Sequence, residues 1–218
     1  MTVVKICGIR SLEEGRAALE AGADMLGFVF WEPSRRFISP AAAASIIRRL
    51  RDQRSHWSAV GVFVNPTATA VTEADQLCSL EYVQLSGNED PARVRAISTP
   101  TIKAVHVRSG AEAAAAESIA SGTLGATLYL LDTHRAGLYG GTGETFDWAA
   151  LRGVGSRCLV GGGLRPDNVI QALEILSPLG VDVSSGVEFP GGGKDPEVIR
   201  AFMEAVKTYD SRLAQQPA

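Results

Sequence analysis

The feature that most constrains this chain is a change of hydrophobic period that recurs eight times along it. Short runs rich in Val, Ile and Leu, at residues 3–9, 25–30, 59–64, 82–85, 102–107, 127–132, 158–161 and 181–184, read as strands. Stretches with helical spacing lie between and after them, at roughly 12–21, 40–54, 67–79, 90–98, 111–121, 147–152, 166–176 and 195–213. A parallel neighbour can be reached only through a crossover, so strands separated by helices predict a parallel sheet. Eight such units in 218 residues average about 27 residues each, the spacing of an α/β protein built as a single (β/α)8 TIM barrel over residues 1–218. An open doubly wound sheet is the main rival. The turn after the first strand, however, lacks the Gly-x-Gly-x-x-Gly pattern that seats a dinucleotide in such sheets.

Local punctuation agrees with the alternation. Ser11 precedes a helix with Glu14 at the reciprocal capping position. Pro40, Pro166 and Pro196 fall where a first helical turn tolerates a missing N–H. Gly22 and Gly180 follow helices where a left-handed residue is wanted. The tail from about residue 210 to 218 is expected to fray. Formal net charge is −3, and the one basic cluster, Arg48, Arg49, Arg51 and Arg54, falls on an amphipathic helix as a solvated face. Nothing in that balance suggests a nucleic-acid partner. Three cysteines, Cys7, Cys78 and Cys158, show no CxxC spacing and argue for a reducing compartment. There is no signal-peptide pattern at the start and no apolar run near the roughly 20 residues that span a bilayer. The expectation is a cytoplasmic, soluble protein, monomer or homodimer, without a membrane partner.

In a barrel, chemistry gathers at the C-terminal ends of the strands and in the loops after them. Cys7 ends the first strand ahead of Gly8. It is either a small buried apolar group or a base activated by nearby positive charge. Asp132 ends the sixth strand; it either caps the following loop or serves as a general acid. Strands 1 and 6 lie on different sides of a barrel mouth, so these two groups can face each other across a bound sugar. Gly161-Gly162-Gly163 follows strand 7 and Ser184-Ser185-Gly186 follows strand 8, the two loops that often bind phosphate in barrels. Gln84 closes strand 4 as a further substrate-binding candidate. Arg35 and Arg36, after strand 2, are either solvated or a bidentate clamp for a carboxylate. The run from Gly137 to Gly143 is either a lid or a plain connection. His56, His106 and His134 are scattered, and no metal or other cofactor is expected.

Lys5 and Asp182 stand two residues before Cys7 and Ser184, so each shares its successor's inward face. Strands 1 and 8 become neighbours when a barrel closes. Because an unpaired buried charge is costly, the two are expected to pair inside the barrel.

The ordered set Lys5-Ile6-Cys7-Gly8-Ile9, Gly27-Phe28-Val29-Phe30, Ser34-Arg35-Arg36, Val60-Gly61-Val62-Phe63-Val64, Val83-Gln84-Leu85, Leu130-Leu131-Asp132, Gly140-Gly141-Thr142-Gly143 with Phe146-Asp147-Trp148, Gly162-Gly163-Leu164 and Asp182-Val183-Ser184-Ser185-Gly186-Val187-Glu188 resembles the phosphoribosylanthranilate isomerase family of tryptophan biosynthesis. The resemblance runs from the first strand to the last. It implies an Amadori rearrangement of a small phosphorylated substrate without a cofactor. Asp132 would be the general acid and Cys7 the general base. Arg36 would contact the anthranilate carboxylate, and the turns at Gly162, Gly163, Ser185 and Gly186 would hold the phosphate. In one departure, Ser86 stands where the family usually has His after Gln-Leu. Two other readings are a different phosphosugar isomerase, such as the histidine-pathway enzyme, and a phosphometabolite-binding barrel without catalysis.

Overall fold

The computed structural model describes residues 1–54, 56–107, 111–133, 148–151 and 157–215. Eight strands, β1 (Val3–Cys7), β2 (Met25–Val29), β3 (Ser58–Phe63), β4 (Tyr82–Leu85), β5 (Thr101–Val107), β6 (Leu128–Thr133), β7 (Cys158–Val160) and β8 (Gly180–Val183), pair in chain order and close into a parallel barrel. Closure is made by β8 against β1, with Lys5 in register with Asp182. Five helices, α1 (Leu12–Ala21), α2 (Pro40–Arg51), α3 (Ala68–Cys78), α4 (Pro91–Arg95) and α5 (Glu112–Ala120), follow the first five strands. After β6 the described residues contribute only a 3-10 turn, Trp148–Leu151; α6 (Val169–Leu176) and α7 (Pro196–Ala214) follow β7 and β8.

Alternation along each strand separates two cores. Cys7, Val29, Val60, Val62, Ile102, Ala104, Leu130 and Leu159 pack together, filling the barrel lumen. The opposite strand faces pack on the helices through residues such as Ile6, Leu26, Phe28, Val83, Leu131 and Val181. Most strands are therefore apolar on both faces, as expected of a parallel sheet covered on both sides, with Lys5, Gln84 and Asp182 as the polar exceptions facing inward. Each fully buried Leu or Ile contributes about 1.5–3 kcal/mol, so the lumen is a packed core that supports the mouth above it.

Helix starts follow the capping residues. Ser11, Ser39, Thr67, Asp90 and Asp195 each accept a hydrogen bond from an amide two or three residues on. Several details differ from the sequence reading. The first strand stops at Cys7 rather than Ile9 because Gly8 turns the chain at φ +86°. Helix α4 ends at Arg95 rather than residue 98, since Pro100 biases the residue before it away from helical geometry. Pro166 is not in a first helical turn. Helix α6 starts three residues later, because the Asn168 side chain is spent on the Gly163 carbonyl and the Arg165 amide. Gly180 is not a helix cap either: Ser177 takes the left-handed position at φ +44°. Gly180 opens β8, where a Cβ would collide with the Val3 carbonyl oxygen. The C-terminal helix does not fray at 210. It continues through Ala214, with Asp210 accepting from the Thr2 amide at 2.9 Å and the Thr2 hydroxyl at 2.7 Å. In the basic cluster, Arg51 donates to the Ser79 carbonyl and pairs with Glu81. No helix among the described residues is long and apolar enough to cross a membrane.

Candidate active site

The strand ends converge on a cavity at the C-terminal mouth. Its wall includes Cys7, Arg36, Gln84, Asp132, Gly162, Gly163, Ser185 and Gly186, eight of the candidates read from the sequence. Trp31, Ser34, Ser86, Asp182 and Ser184 line it as well. The loop from Gly137 to Gly143, His134, and the Phe146-Asp147 pair lie outside the described residues. Among the described residues no group of three or more His, Cys, Asp or Glu side chains is arranged to hold a metal.

Cys7 projects inward from β1 and is buried, as is Asp132 at the end of β6. Burial is the largest influence on the Cys7 thiol and pushes it up. The ammonium groups of Lys5 and Lys194 pull it down, and the Asp182 carboxylate pushes it up again. The pairing expected of Lys5 and Asp182 is present: Nζ donates to Oδ1 at 2.7 Å, with the lysine side chain wholly shielded from solvent. Burial disfavours the ammonium, but Asp182 and Cys7 outweigh it, so Lys5 stays charged. Gly27 makes room for this arrangement. A Cβ there would come within 2.8 Å of the Cys7 sulfur and 3.2 Å of Lys5 Nζ.

A second buried charge cluster supports Arg36. Glu188 accepts from Arg36 Nε at 2.6 Å and Nη2 at 3.0 Å, from Lys194 Nζ at 2.9 Å and from Arg35 Nη2 at 2.8 Å. Burial pushes the Glu188 carboxyl up, but the hydrogen bonds and charges of Arg36 and Lys194 prevail and hold it at about 2. The two arginines differ. The Arg36 side chain is 12% exposed and lines the cavity, whereas Arg35 is 62% exposed and does not. Of the clamp considered from the sequence, only Arg36 reaches the site. Gly8 allows it to lie flat, since a Cβ at Gly8 would meet Arg36 Cδ at 2.5 Å.

The two glycine turns face each other. Gly162 and Gly163 both have positive φ, +75° and +72°. A Cβ at Gly186 would strike the Leu164 carbonyl oxygen, so only glycine lets these loops approach so closely. Among the described residues, the amides of Gly162, Gly163, Ser185 and Gly186 donate to no carbonyl or side chain. Amides held in this way form a concave cradle of donors suited to an anion.

On the far wall, the amide nitrogen of Gln84 donates to Ser86 Oγ at 3.1 Å, and Gln84 Oε1 is buried without a donor among the described residues. His106 on β5 is placed by a 2.8 Å contact from Nε2 to the Ser86 carbonyl. Burial lowers its imidazole below its ordinary value. Behind this wall Lys103 pairs with Glu89 at 2.9 Å and donates to the Leu85 and Gly87 carbonyls.

Sequence reasoning missed Glu188 and Lys194 as partners. Glu188 was visible only as the last residue of a motif, and Lys194 reaches it across the turn following Phe189 by an isolated antiparallel bridge. Trp31 was missed too; its one signal is a large aromatic residue just beyond a strand end.

A closed barrel carrying a buried thiol, a carboxyl group and an amide cradle at one mouth belongs with the (β/α)8-barrel isomerases of phosphorylated sugars. The comparisons are specific within that class. The model of the N-(5'-phosphoribosyl)anthranilate (PRA) isomerase family matches residues 4–205, and the chain belongs to that family. It is 48% identical to the N-(5'-phosphoribosyl)anthranilate isomerase of Citrifermentans bemidjiense over 210 residues, covering 95% of this chain and 98% of that one. It is 46% identical to the same enzyme of Syntrophomonas wolfei, with the same two coverages. Among solved structures, the phosphoribosyl anthranilate isomerase of Thermotoga maritima superposes with a TM-score of 0.83 at 38% identity, covering 95% of this chain and all of that one. Another phosphoribosyl anthranilate isomerase, solved with reduced 1-(o-carboxyphenylamino)-1-deoxyribulose 5-phosphate bound, superposes at 0.80 with 35% identity and the same coverages. Of the readings open from the sequence, the first is the one these relatives support.

Proposed function

We propose that this chain converts N-(5'-phosphoribosyl)anthranilate to 1-(2-carboxyphenylamino)-1-deoxyribulose 5-phosphate by acid–base catalysis, with Asp132 as the acid and Cys7 as the base. The observation that carries the assignment is that both groups line one cavity together with the amide cradle at Gly162, Gly163, Ser185 and Gly186. The cradle takes the phosphate, through donors that are already in place before the ligand arrives. Arg36 takes the anthranilate carboxylate with the guanidinium edge that Glu188 leaves open. Gln84 Oε1, otherwise without a donor, accepts from a sugar hydroxyl.

The chemistry follows from that placement. Asp132 delivers its proton to the ring oxygen as the C1'–O bond breaks. The anthranilate nitrogen supplies its lone pair to C1', giving an open-chain iminium ion. The iminium acidifies the C2' proton, and the Cys7 thiolate removes it; the C–H electron pair forms the C1'=C2' bond of an enolamine. Proton return to C1' and loss of the enol proton leave the ketone. No oxidant or cofactor enters this sequence of steps. All of the assigned groups come from one chain, so the reading suits a monomer and a homodimer equally.

The test is turnover of freshly generated substrate, followed by its loss of fluorescence. Cys7→Ser and Asp132→Asn should each lower kcat by about 10²–10⁴-fold, the usual contribution of a positioned acid or base, while the reduced product analogue still binds. Unchanged turnover in either variant removes that residue from the mechanism.

A further inference from the structure

We propose that Lys5 is a positioning residue for Cys7: its buried ammonium, paired with the Asp182 carboxylate and lodged beside the Cys7 sulfur, sets how readily that sulfur releases and takes up a proton. The inference rests on reading Cys7 as the base and adds the group that tunes it.

The geometry is that of a closed triad. Lys5 has no solvent exposure and donates to Asp182 at 2.7 Å, and the Cys7 sulfur lies beside its ammonium against Gly27. Lys5 and Cys7 are two residues apart on β1, so both point into the lumen. Ammonium and sulfur press against the same bare face of Gly27, as the two close approaches there show. A purely structural role would need only the pairing of Lys5 with Asp182, which fastens β8 to β1 at the closing register. It would not require the cation to face a thiol.

The charged groups facing Cys7 are Lys5 on β1, Asp182 on β8 and Lys194 in the loop beyond β8. Lys194 is committed to Glu188 and to the Ser184 carbonyl. Lys5 is therefore the cation with the stronger pull on the sulfur, and Asp182 is the group that competes for it. The other two thiols show what burial does by comparison. Desolvation is the chief cause that pushes Cys78 and Cys158 up to about 11. Burial is the chief cause at Cys7 as well, so subtraction of the Cys7→Ser protein is what separates its ionisation from theirs.

The experiment is a titration of thiolate ultraviolet absorbance from neutral pH upward until the Cys7 transition is complete, with Cys7→Ser protein as the blank. It is run on the wild type, Lys5→Met and Asp182→Asn, alongside the pH profile of kcat/KM. Lys5→Met should move the Cys7 titration and the acid limb of the profile up together by about one pH unit or more, tenfold less thiolate at a given pH. Asp182→Asn leaves the ammonium to the sulfur alone and should move both down. Opposite displacements are the signature, because general loosening of the barrel would not give them. A Lys5→Met titration that overlays the wild type, or both variants moving the same way, overturns the inference. If Lys5→Met does not fold, Asp182→Asn decides: a titration that is unmoved or moved up overturns it. Retained turnover in Cys7→Ser would instead remove the base assignment, while the titration still reports the coupling.

Discussion

Replacing Glu188 with Gln tests how far the mouth of this barrel depends on one buried carboxylate. Its side chain is 5% exposed and receives bonds from Arg36, Lys194 and Arg35. Its pKa is displaced from 4.5 to about 2. At about 1.36 kcal/mol per pH unit, a displacement of that size corresponds to roughly 3 kcal/mol of native stability. Because the folded value lies below the unfolded one, the contribution is whole above about pH 4.5 and disappears as pH falls toward about 2. Glutamine also leaves Lys194, whose side chain is fully shielded, without its carboxylate. Breaking a buried pair from one side costs about 3–5 kcal/mol, which in a chain of this length lowers the thermal midpoint by roughly 10 °C.

The assay is thermal unfolding by circular dichroism of wild type and Glu188→Gln at pH 7, 5 and 3. The gap should be full at pH 7 and 5 and should narrow at pH 3. Glu204→Gln is the control, since it removes an exposed partner of Lys207 and should leave the midpoint in place. A gap of the same size at every pH would mean that the ionised carboxylate is not what holds the cluster. A gap below about 1 kcal/mol at pH 7 would refute the magnitude, since breaking a buried pair should cost several times that.

Two further substitutions probe the ligand contacts. Gly186→Ala should raise KM at least tenfold with a smaller loss in kcat, because the new Cβ strikes the Leu164 carbonyl oxygen and drives the two anion-binding turns apart; an unchanged KM would mean that the loops are not a matched cradle. Ser86→Ala removes the hydroxyl that orients the Gln84 amide and should raise KM about fivefold, the equivalent of one hydrogen bond of roughly 1 kcal/mol; a fall in kcat alone would place Ser86 in the chemistry instead.

The barrel was legible because both signals that specify it are local. Strand and helix periods need no knowledge of the partner, and capping residues such as Ser11 and Asp195 mark helix starts in the chain itself. The expected union of Lys5 with Asp182 could be worked out from alternation and closure alone, since parity fixes the face and a barrel fixes the neighbour. What failed to show was conditional on side-chain choices made elsewhere. Asn168 looked like part of a helix, but its amide is used by the preceding turn. Gly180 resembled a helix cap, but it answers to the Val3 carbonyl on a strand distant in sequence. Glu188 carried no sign that Arg36 would come to it across 152 residues. Long-range pairings of charged side chains leave no periodic trace.

Those unpredicted contacts also explain the charge balance of the mouth. Three cations, Arg35, Arg36 and Lys194, converge on the single carboxylate of Glu188, while Lys5 is matched by Asp182. Without Glu188, Arg36 and Lys194 would repel each other in a shielded setting, and the arginine would swing toward water. With it, their repulsion is relieved and the guanidinium is held in one orientation, yet the cluster keeps a positive surplus. A ligand carrying a carboxylate and a phosphate fits that surplus; a neutral sugar would leave it unmet. The same arrangement separates binding from proton transfer. The positive charge sits on the wall formed by the loops after β2 and β8, while Asp132, the proposed acid, lines the cavity from β6. Cys7, the proposed base, stands on β1 between β2 and β8, next to a lysine whose charge is matched by Asp182.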